Sequence, residues 1–411
     1  GHRPPVRRIF LRVTLPLAGM NFLTQASRAV LSVVGPVLAV QYRLSASELG
    51  LLSAVMFGAY CLWQLPVGLL LDLYGPRRVQ ACMGVTAAAG FAGFALADGM
   101  TGFMLARALT GIGVAAGLMA VLKANSQWFE RHQVAGMTGL AMVVGGAGGL
   151  AVTAPANALL PLIGWRGVFW ALAALALAMA AWCWASVREP PRQGDPMRRR
   201  SLGEEVAVIG AIYGNRRFWR FAPAVTLLTV INFTYQGLWA GPWLRDVAGL
   251  DGGARAATLF CFALGLMSGS FTNGLLASRL QARGFSPMTM PFVSAFGLIA
   301  VQIALLTGPT DRVAVTVLWA LFPFFASAGP AGYAAIAQIF PVEQTGRVAT
   351  AINAATLAGA FALQTAVGHI LDLWPRTAAG GWDKAGYGWA LALSLALQGV
   401  ALLWALVKPR R

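Results

Sequence analysis

The feature that most constrains this chain is its succession of long apolar stretches, rich in Ala, Leu and Gly. A helix of about 20 apolar residues crosses a ~30 Å hydrocarbon core and satisfies its own backbone hydrogen bonds. A transmembrane β-barrel would instead show short segments of alternating polarity. The stretches in this chain are long and do not alternate, so they predict transmembrane helices.

The apolar stretches predict twelve spans, in two groups of six separated by a basic stretch. We place the spans near residues 11–41, 46–73, 79–98, 101–128, 132–161, 165–187, 216–245, 253–281, 286–308, 312–339, 344–374 and 385–407. The predicted fold is an all-α membrane protein of two pseudo-symmetric six-helix bundles. The bundles comprise residues 1–187 and 216–411, and a cytoplasmic linker at 188–215 joins them.

The charge distribution predicts the orientation of the chain. Only 11% of the 411 residues are charged, against roughly 25% in soluble domains. The net charge of +17 comes mainly from Lys and Arg in alternate loops, the termini and the linker, which contains Arg198, Arg199 and Arg200. This positive-inside pattern predicts a bacterial inner-membrane protein with both termini cytoplasmic. It favours contact with lipid over nucleic acid.

The residue types that catalyse reactions or bind metals are not grouped as they would be in a catalytic or metal site. All four cysteines lie inside predicted spans, without the spacing of a metal site. No nucleophile and base are placed together. We therefore expect neither an enzyme nor a bound cofactor or metal.

An internal repeat relates the two halves. Asn21 to Gln25 in the first helix is matched by Asn232 to Gln236 in the seventh. The same interval separates Gln127 at the end of the fourth helix from Gln338 at the end of the tenth. Repeat-built transporters bind their substrate near the midplane between the repeats.

Three motifs resemble signatures of the major facilitator superfamily. Residues 68–78, GLLLDLYGPRR, are similar to its loop signature G-x-L-x-D-x-x-G-R-R, with a proline at the first basic position. Residues 107–113 resemble its fourth-helix motif R-x-x-x-G-x-G, and residues 164–169 its G-W-R-x-x-F. In the second half Ser278 stands in place of the signature aspartate. The resemblance covers essentially the whole chain and implies a secondary transporter.

The first-half signature is a candidate gate, made of Gly68, Asp72, Gly75, Arg77 and Arg78. Asp72 ends a helix and Gly75 permits a tight turn. We expect the two arginines to pair with Asp72 and with carbonyls at neighbouring helix ends. The alternative is an ordinary loop with a positive-inside pair.

Charged side chains inside a span indicate function, and here all three are cations: Arg28, Arg107 and Lys123. No carboxylate lies near the middle of a span, so the cavity should prefer an anion. The resemblance to the family's fourth-helix motif implies a role for Arg107 in coupling between helices one and four, and direct substrate contact is the alternative. Lys123 either contacts substrate or extends toward the membrane surface.

Arg28 shares one helix face with Asn21 and Gln25. The matching face of the seventh helix carries Asn232, Gln236 and Trp239, with Tyr235 beside them. Together these residues would make a cradle for an anion, with Arg28 as its anchor. Alternatively, the amides serve to pack helices together. Further candidates are Tyr333, Asn353 and Gln364.

His369 and Asp372 are one turn apart near a helix end. The pair would carry a coupled proton, or His369 is an ordinary interfacial histidine. Coupling to protons and exchange for a counter-anion are both left open.

The first-helix segment from Arg28 to Pro36 is similar to the organophosphate antiporters and the anion:cation symporters. That resemblance implies a small organic anion as substrate and Arg28 as its ligand. Trp239 stands where a second arginine is expected, which favours a carboxylate over a phosphate ester. The alternatives are an exporter of drug-like or siderophore-like compounds and a sensor with a transporter fold. We expect a monomer.

Overall fold

The computed structural model describes residues 4–130, 133–189, 201–341 and 344–407. Part of the predicted linker, 190–200 with Arg198, Arg199 and Arg200, lies outside these ranges. The first six membrane helices are α1 Val6–Gln41, α2 and α3 within Ala46–Leu96, α4 Met100–Trp128, α5 Val134–Ala151 with a short extension to residue 163, and α6 165–186. The second six are α7 216–246, α8 Gly252–Ala282, α9 Thr289–Leu306, α10 Arg312–Ala337, α11 Thr345–Leu371 and α12 Lys384–Leu406.

Two glycines divide helices that are otherwise continuous. Gly75 has φ 81° and separates α2 from α3, and Gly164 has φ 71° and separates α5 from α6. Only glycine adopts this conformation without strain, so both turns follow from the sequence. Within the described ranges nine helices are long and apolar enough to cross a membrane. Gly75 divides one of these, Ala46–Leu96, into α2 and α3, and with α5 and α7 added the twelve predicted spans are confirmed.

The described part of the linker contains a helix that the sequence analysis did not predict. This linker helix is Leu202–Tyr213. The Ser201 hydroxyl accepts from the backbone N–H of Glu204 at 3.2 Å, and Glu204 and Glu205 occupy the first turn. Serine followed three residues later by glutamate is a helix-start signal.

The contacts divide the chain into two compact units. The first unit contains the residues up to Arg28 together with Val55–Val206. The second contains Ala29–Ala54 together with the residues from Ala207 onward. Helices α1 and α2 therefore each contribute residues to both units. The sequence-based domain boundaries stay a prediction.

Each unit is packed around its own aromatic cluster. In the first unit the rings of Phe94 and Phe169 stack with centroids 4.1 Å apart, and Trp165 meets Phe103 edge-on at 5.7 Å. All four side chains are buried. Such rings bury large apolar areas, and their contact geometry is favourable.

The cluster of the second unit is centred on Trp319, whose side chain is fully buried. Its ring lies 5.1 Å from that of Phe322 and 5.3 Å from that of Trp243. This cluster anchors α10 against α7.

Several arginines at helix ends donate to the terminal carbonyls of a neighbouring helix. Arg166 Nη1 donates to the carbonyls of Ala95 and Ala97, at 2.7 and 3.0 Å, where α3 ends. Arg220 Nη2 donates to the carbonyl of Val407 beyond α12 at 2.5 Å. The last carbonyls of a helix have no partner within it and carry partial negative charge. These arginines therefore stabilise helix ends.

Candidate functional site

Arg28 lies on α1 in the first unit, and its side chain is half-buried. Its Nη1 donates to Gln25 Oε1 at 3.2 Å, so two residues predicted on one face are in contact. The Tyr60 hydroxyl on α2 also interacts with the guanidinium and is buried. Sequence reasoning missed Tyr60, because a tyrosine inside an apolar span carries no pattern of its own. The three side chains form a polar group inside the membrane-spanning region.

Arg107 on α4 is 1% exposed and supports the same part of α1. Its Nη1 donates to the backbone carbonyl of Ser27 at 2.7 Å, one residue before Arg28. Among the described residues, Nε and Nη2 of Arg107 have no hydrogen-bond partner. A buried cation with so few contacts is costly, which is typical of a functional residue.

Asn21 faces α5 rather than the Arg28 group. Its Nδ2 lies 3.9 Å from the Met142 sulfur, and its side chain is 3% exposed. Gly145 and Gly148 on α5 approach α1 so closely that a Cβ at either would overlap Asn21 or Phe22. The glycine-rich run of α5 thus accommodates α1.

The signature loop is held by contacts within the first unit. Asp72 forms its ion pair with Lys123 on α4, where the sequence analysis expected Arg77 or Arg78. Lys123 reaches Asp72 at the end of α2, as a lysine that extends toward the membrane surface would. Gly75 makes the turn between α2 and α3, and a Cβ on Gly68 would meet the Met119 sulfur at ordinary contact distance.

Arg77 makes the expected contact with a helix-end carbonyl. Its Nε donates to the carbonyl of Trp184 at the end of α6, at 2.8 Å, and its Cζ lies 4.3 Å from the centroid of the Trp184 ring. Arg78 is exposed. The loop therefore ties the ends of α2, α4 and α6 together.

The predicted residues of α7 lie in the second unit and are buried. The segment Tyr235–Trp239 is a π-helical turn, a form that often marks functional sites. Asn232 Nδ2 donates to Gln236 Oε1 at 3.3 Å, so two of the predicted amides are in contact. Tyr235 packs against Trp319, with centroids 5.7 Å apart.

Trp239 and Gln364 join α7 to α11. The indole Nε1 of Trp239 donates to the backbone carbonyl of Gln364 at 3.0 Å, and both side chains are fully buried. Tyr333 on α10 and Thr356 on α11 share a hydroxyl–hydroxyl hydrogen bond of 2.8 Å. Asn353 is half-buried on α11. In this structure these polar groups connect helices, and their substrate contacts stay a prediction.

His369 is exposed near the end of α11. The Asp372 carboxylate accepts from the backbone N–H groups of Ala46 and Ser47 at 3.0 and 2.8 Å. Both oxygens of Asp372 are therefore engaged at the start of α2. The proton-carrying pair with His369 stays a prediction.

A buried carboxylate at the end of α7 was also missed. The side chain of Asp246 is 6% exposed and accepts from Arg245 Nε at 2.8 Å, from Trp382 N at 3.0 Å and from the Tyr387 hydroxyl at 2.5 Å. The Trp382 ring packs edge-on against Trp239, with centroids 5.7 Å apart. Asp246 lies one residue beyond the predicted seventh span, and its contacts come from Trp382 and Tyr387, which are distant in sequence.

Comparisons with known proteins identify the family. The sequence profile of the Major Facilitator Superfamily matches residues 17–364. A protein of Cupriavidus necator named probable sulfoacetate transporter SauU is 25% identical over 335 residues, 74% of each chain. Transcription regulatory protein OpdE of Pseudomonas aeruginosa is 28% identical over 214 residues, 50% of this chain and 49% of its own.

Solved structures show the same fold. A bacterial homolog of the human lysosomal transporter Spinster superimposes with a TM-score of 0.81 at 17% identity, covering 98% of this chain and 97% of that one. A D-xylose–proton symporter does so with a TM-score of 0.72 at 16% identity, covering 98% of each chain. The predicted fold is confirmed, and so is the expectation that the protein is not an enzyme. The chain belongs to the major facilitator superfamily of multi-pass membrane transporters.

Proposed function

We propose that this transporter moves a small organic anion across the bacterial inner membrane by alternating access, with Arg28 as the anion ligand. The observation that carries the proposal is the half-buried Arg28 guanidinium, oriented by Gln25 at 3.2 Å and by Tyr60. The planar donors of a guanidinium fit a carboxylate or a sulfonate.

The charges around Arg28 support an anion over a cation. The nearby cation Arg107 braces the backbone at Ser27, at 2.7 Å. Lys123 is paired with Asp72, so among these cations Arg28 is the proposed anion ligand. The name of the Cupriavidus relative refers to sulfoacetate, a molecule with a sulfonate and a carboxylate. We therefore favour a short carboxylate or sulfonate over a phosphate ester.

Flux in proteoliposomes tests this function. Purified protein is reconstituted, and uptake of labelled sulfoacetate, a monocarboxylate, a dicarboxylate and a sugar phosphate is compared. Replacing Arg28 by Gln removes a charged hydrogen-bonding ligand, so apparent affinity for the transported anion should fall about ten- to hundredfold. The matched control is Arg217→Gln, an exposed arginine at the start of α7, which should transport normally.

The proposal fails if no anion is transported, or if flux of the transported anion is unaffected in Arg28→Gln. Transport of cationic dyes that is indifferent to Arg28 would indicate the exporter alternative instead. The same liposomes address coupling: an imposed pH gradient drives uptake under proton coupling, and an anion loaded inside drives it under exchange.

A sensor is the second candidate function, favoured by one specific observation. Half of this chain is 28% identical to a protein named as a transcription regulatory protein. A sensor with this fold would bind the anion through Arg28 without transporting it. Saturable anion binding by calorimetry, with no flux in the same preparation, would support the sensor.

The distribution of basic residues also supports an orientation of the chain in the membrane. We propose that both termini are cytoplasmic, because basic residues such as Arg77, Arg78 and Arg279 concentrate in alternate loops. A reporter that is active only in the cytoplasm should be active when fused after α6 or after α12. A reporter that is active only in the periplasm should be inactive at the same positions.

A further inference from the structure

The start of α2 has backbone donors that its own residues do not satisfy. Ser45 and Glu48 form a capping box: Ser45 Oγ accepts from the Glu48 N–H, and Glu48 Oε1 accepts from the Ser45 N–H, both at 3.1 Å. This leaves the first two N–H groups of the helix, those of Ala46 and Ser47, without a local acceptor. They need an acceptor from elsewhere.

Asp372 supplies that acceptor from a distant part of the sequence. Its Oδ1 accepts from Ala46 N at 3.0 Å and its Oδ2 from Ser47 N at 2.8 Å. A carboxylate at a helix N-terminus is stabilised by the positive end of the helix dipole. Asp372 itself terminates α11, where a negative charge is unfavourable for its own helix. The carboxylate therefore favours α2 at the expense of α11.

Glycines let the backbones of α2 and α11 meet beside this contact. A Cβ on Gly368 would lie 2.5 Å from the Ala46 carbonyl oxygen and 3.0 Å from Ser47 Cα. A Cβ on Gly50 would lie 3.0 Å from the Gln364 carbonyl oxygen. Both positions are too close for a larger residue without displacement of backbone. The close approach depends on these two glycines.

The close packing of α2 against α11 continues between α1 and α7, and we call this line of contacts the seam. The Ser32 hydroxyl donates to the backbone carbonyl of Gln236. A Cβ on Gly241 would overlap the Ser32 carbonyl. These contacts explain why Ala29–Ala54 groups with the second half of the chain, while the rest of α1 and α2 belongs to the first unit.

We infer that Asp372 is an electrostatic latch that holds the start of α2 against the end of α11 and is released during the transport cycle. Alternating access requires one half to separate from the other at each end in turn. Residues 29–54 belong to the first half by sequence and contact the second. The latch is breakable because Asp372 is exposed, so water can replace it at modest cost. The inference does not depend on which substrate is carried.

Pulsed electron paramagnetic resonance tests the latch without substrate. Spin labels are placed at Val40→Cys and Leu373→Cys, which are 64% and 76% exposed, after the four native cysteines are replaced by serine. Asp372→Asn should raise the population with a longer label–label distance about two- to fivefold, the size of one helix-terminus charge interaction. Gly368→Ala should raise this population too, because its Cβ pushes the helices apart. Asp372→Glu keeps the carboxylate, so its distance distribution should stay close to that of the unmutated residue.

The matched control is Asp311→Asn. Asp311 caps its own helix, accepting from Ala314 N at 3.0 Å, so its loss removes a similar bond without touching the seam. This variant should leave the label–label distance unchanged. The latch is refuted if Asp372→Asn leaves the distance distribution as it was, or if Asp311→Asn alters it equally. Because no anion is added, neither result depends on Arg28.

Discussion

Arg107 on α4 donates a 2.7 Å hydrogen bond to the backbone carbonyl of Ser27 on α1, immediately before Arg28. Because the acceptor is a backbone carbonyl, Arg107 fixes the position of the α1 backbone rather than that of a side chain. Arg107 is thus a positioning residue for Arg28. Its side chain joins α4 to α1 through this one hydrogen bond.

Replacing Arg107 by Gln should reduce transport without weakening the fold. The substitution removes the brace on Ser27, so we expect roughly tenfold weaker apparent affinity for the transported anion. It also removes a buried charge, whose desolvation penalty offsets the lost bond, so the thermal midpoint should hold or rise. Flux assays and thermal unfolding in detergent measure the two effects.

The control for Arg107 is Arg166→Gln. Arg166 makes the same kind of contact, donating to the Ala95 carbonyl at 2.7 Å, but its side chain is 39% exposed. Affinity in this control should stay within about twofold. Equal losses of affinity in both variants would mean that neither arginine acts specifically on Arg28.

The Asp72–Lys123 pair should contribute little to the free energy of unfolding. Its side chains are 63% and 17% exposed, so solvent screens much of the attraction. A double-mutant cycle with Asp72→Asn and Lys123→Gln should give a coupling free energy below about 1 kcal/mol, falling further at high salt. A larger coupling that salt does not change would contradict this and indicate a shielded pair.

Gly148 should be intolerant of any side chain. A Cβ there would overlap the Phe22 carbonyl oxygen and approach Phe22 Cα at 3.1 Å, pushing α1 away from α5. We expect Gly148→Ala to destabilise the protein by about 1–3 kcal/mol, seen as a lower thermal midpoint. Gly139→Ala on the same helix enters open space and should be neutral or slightly stabilising. If both variants behave alike, the close contact is not what limits position 148.

Asp246 should be essential for the fold of the second unit. Its 6% exposed carboxylate accepts from Arg245, Trp382 and Tyr387. Asp246→Asn leaves Arg245 without its counter-ion, so we expect a loss of about 3 kcal/mol, measured by thermal unfolding.

Asp98→Asn provides the comparison for Asp246. Asp98 pairs with Arg166 at 3.4 Å, but its side chain is 85% exposed. Solvent competes for such a pair, so the change in stability should stay within about 0.5 kcal/mol. Similar effects in the two variants would argue that burial of Asp246 is energetically unimportant.

The sequence by itself determined the twelve helices, the family and the placement of Arg28 and Gln25 on one helix face. Each of these depends on local information: apolar length, a short motif, or the spacing of residues on one helix. The turns at Gly75 and Gly164 also depend on local information, because a positive φ favours glycine whatever surrounds it.

Only the tertiary structure decided which groups meet. Lys123 rather than an arginine pairs with Asp72, and Arg107 donates to a backbone carbonyl that no sequence pattern marks. Asp372 bonds the start of α2, 326 residues away from Ala46. An unpaired polar group inside a membrane is energetically costly, and the packing of the helices determines which partner lies within hydrogen-bonding distance.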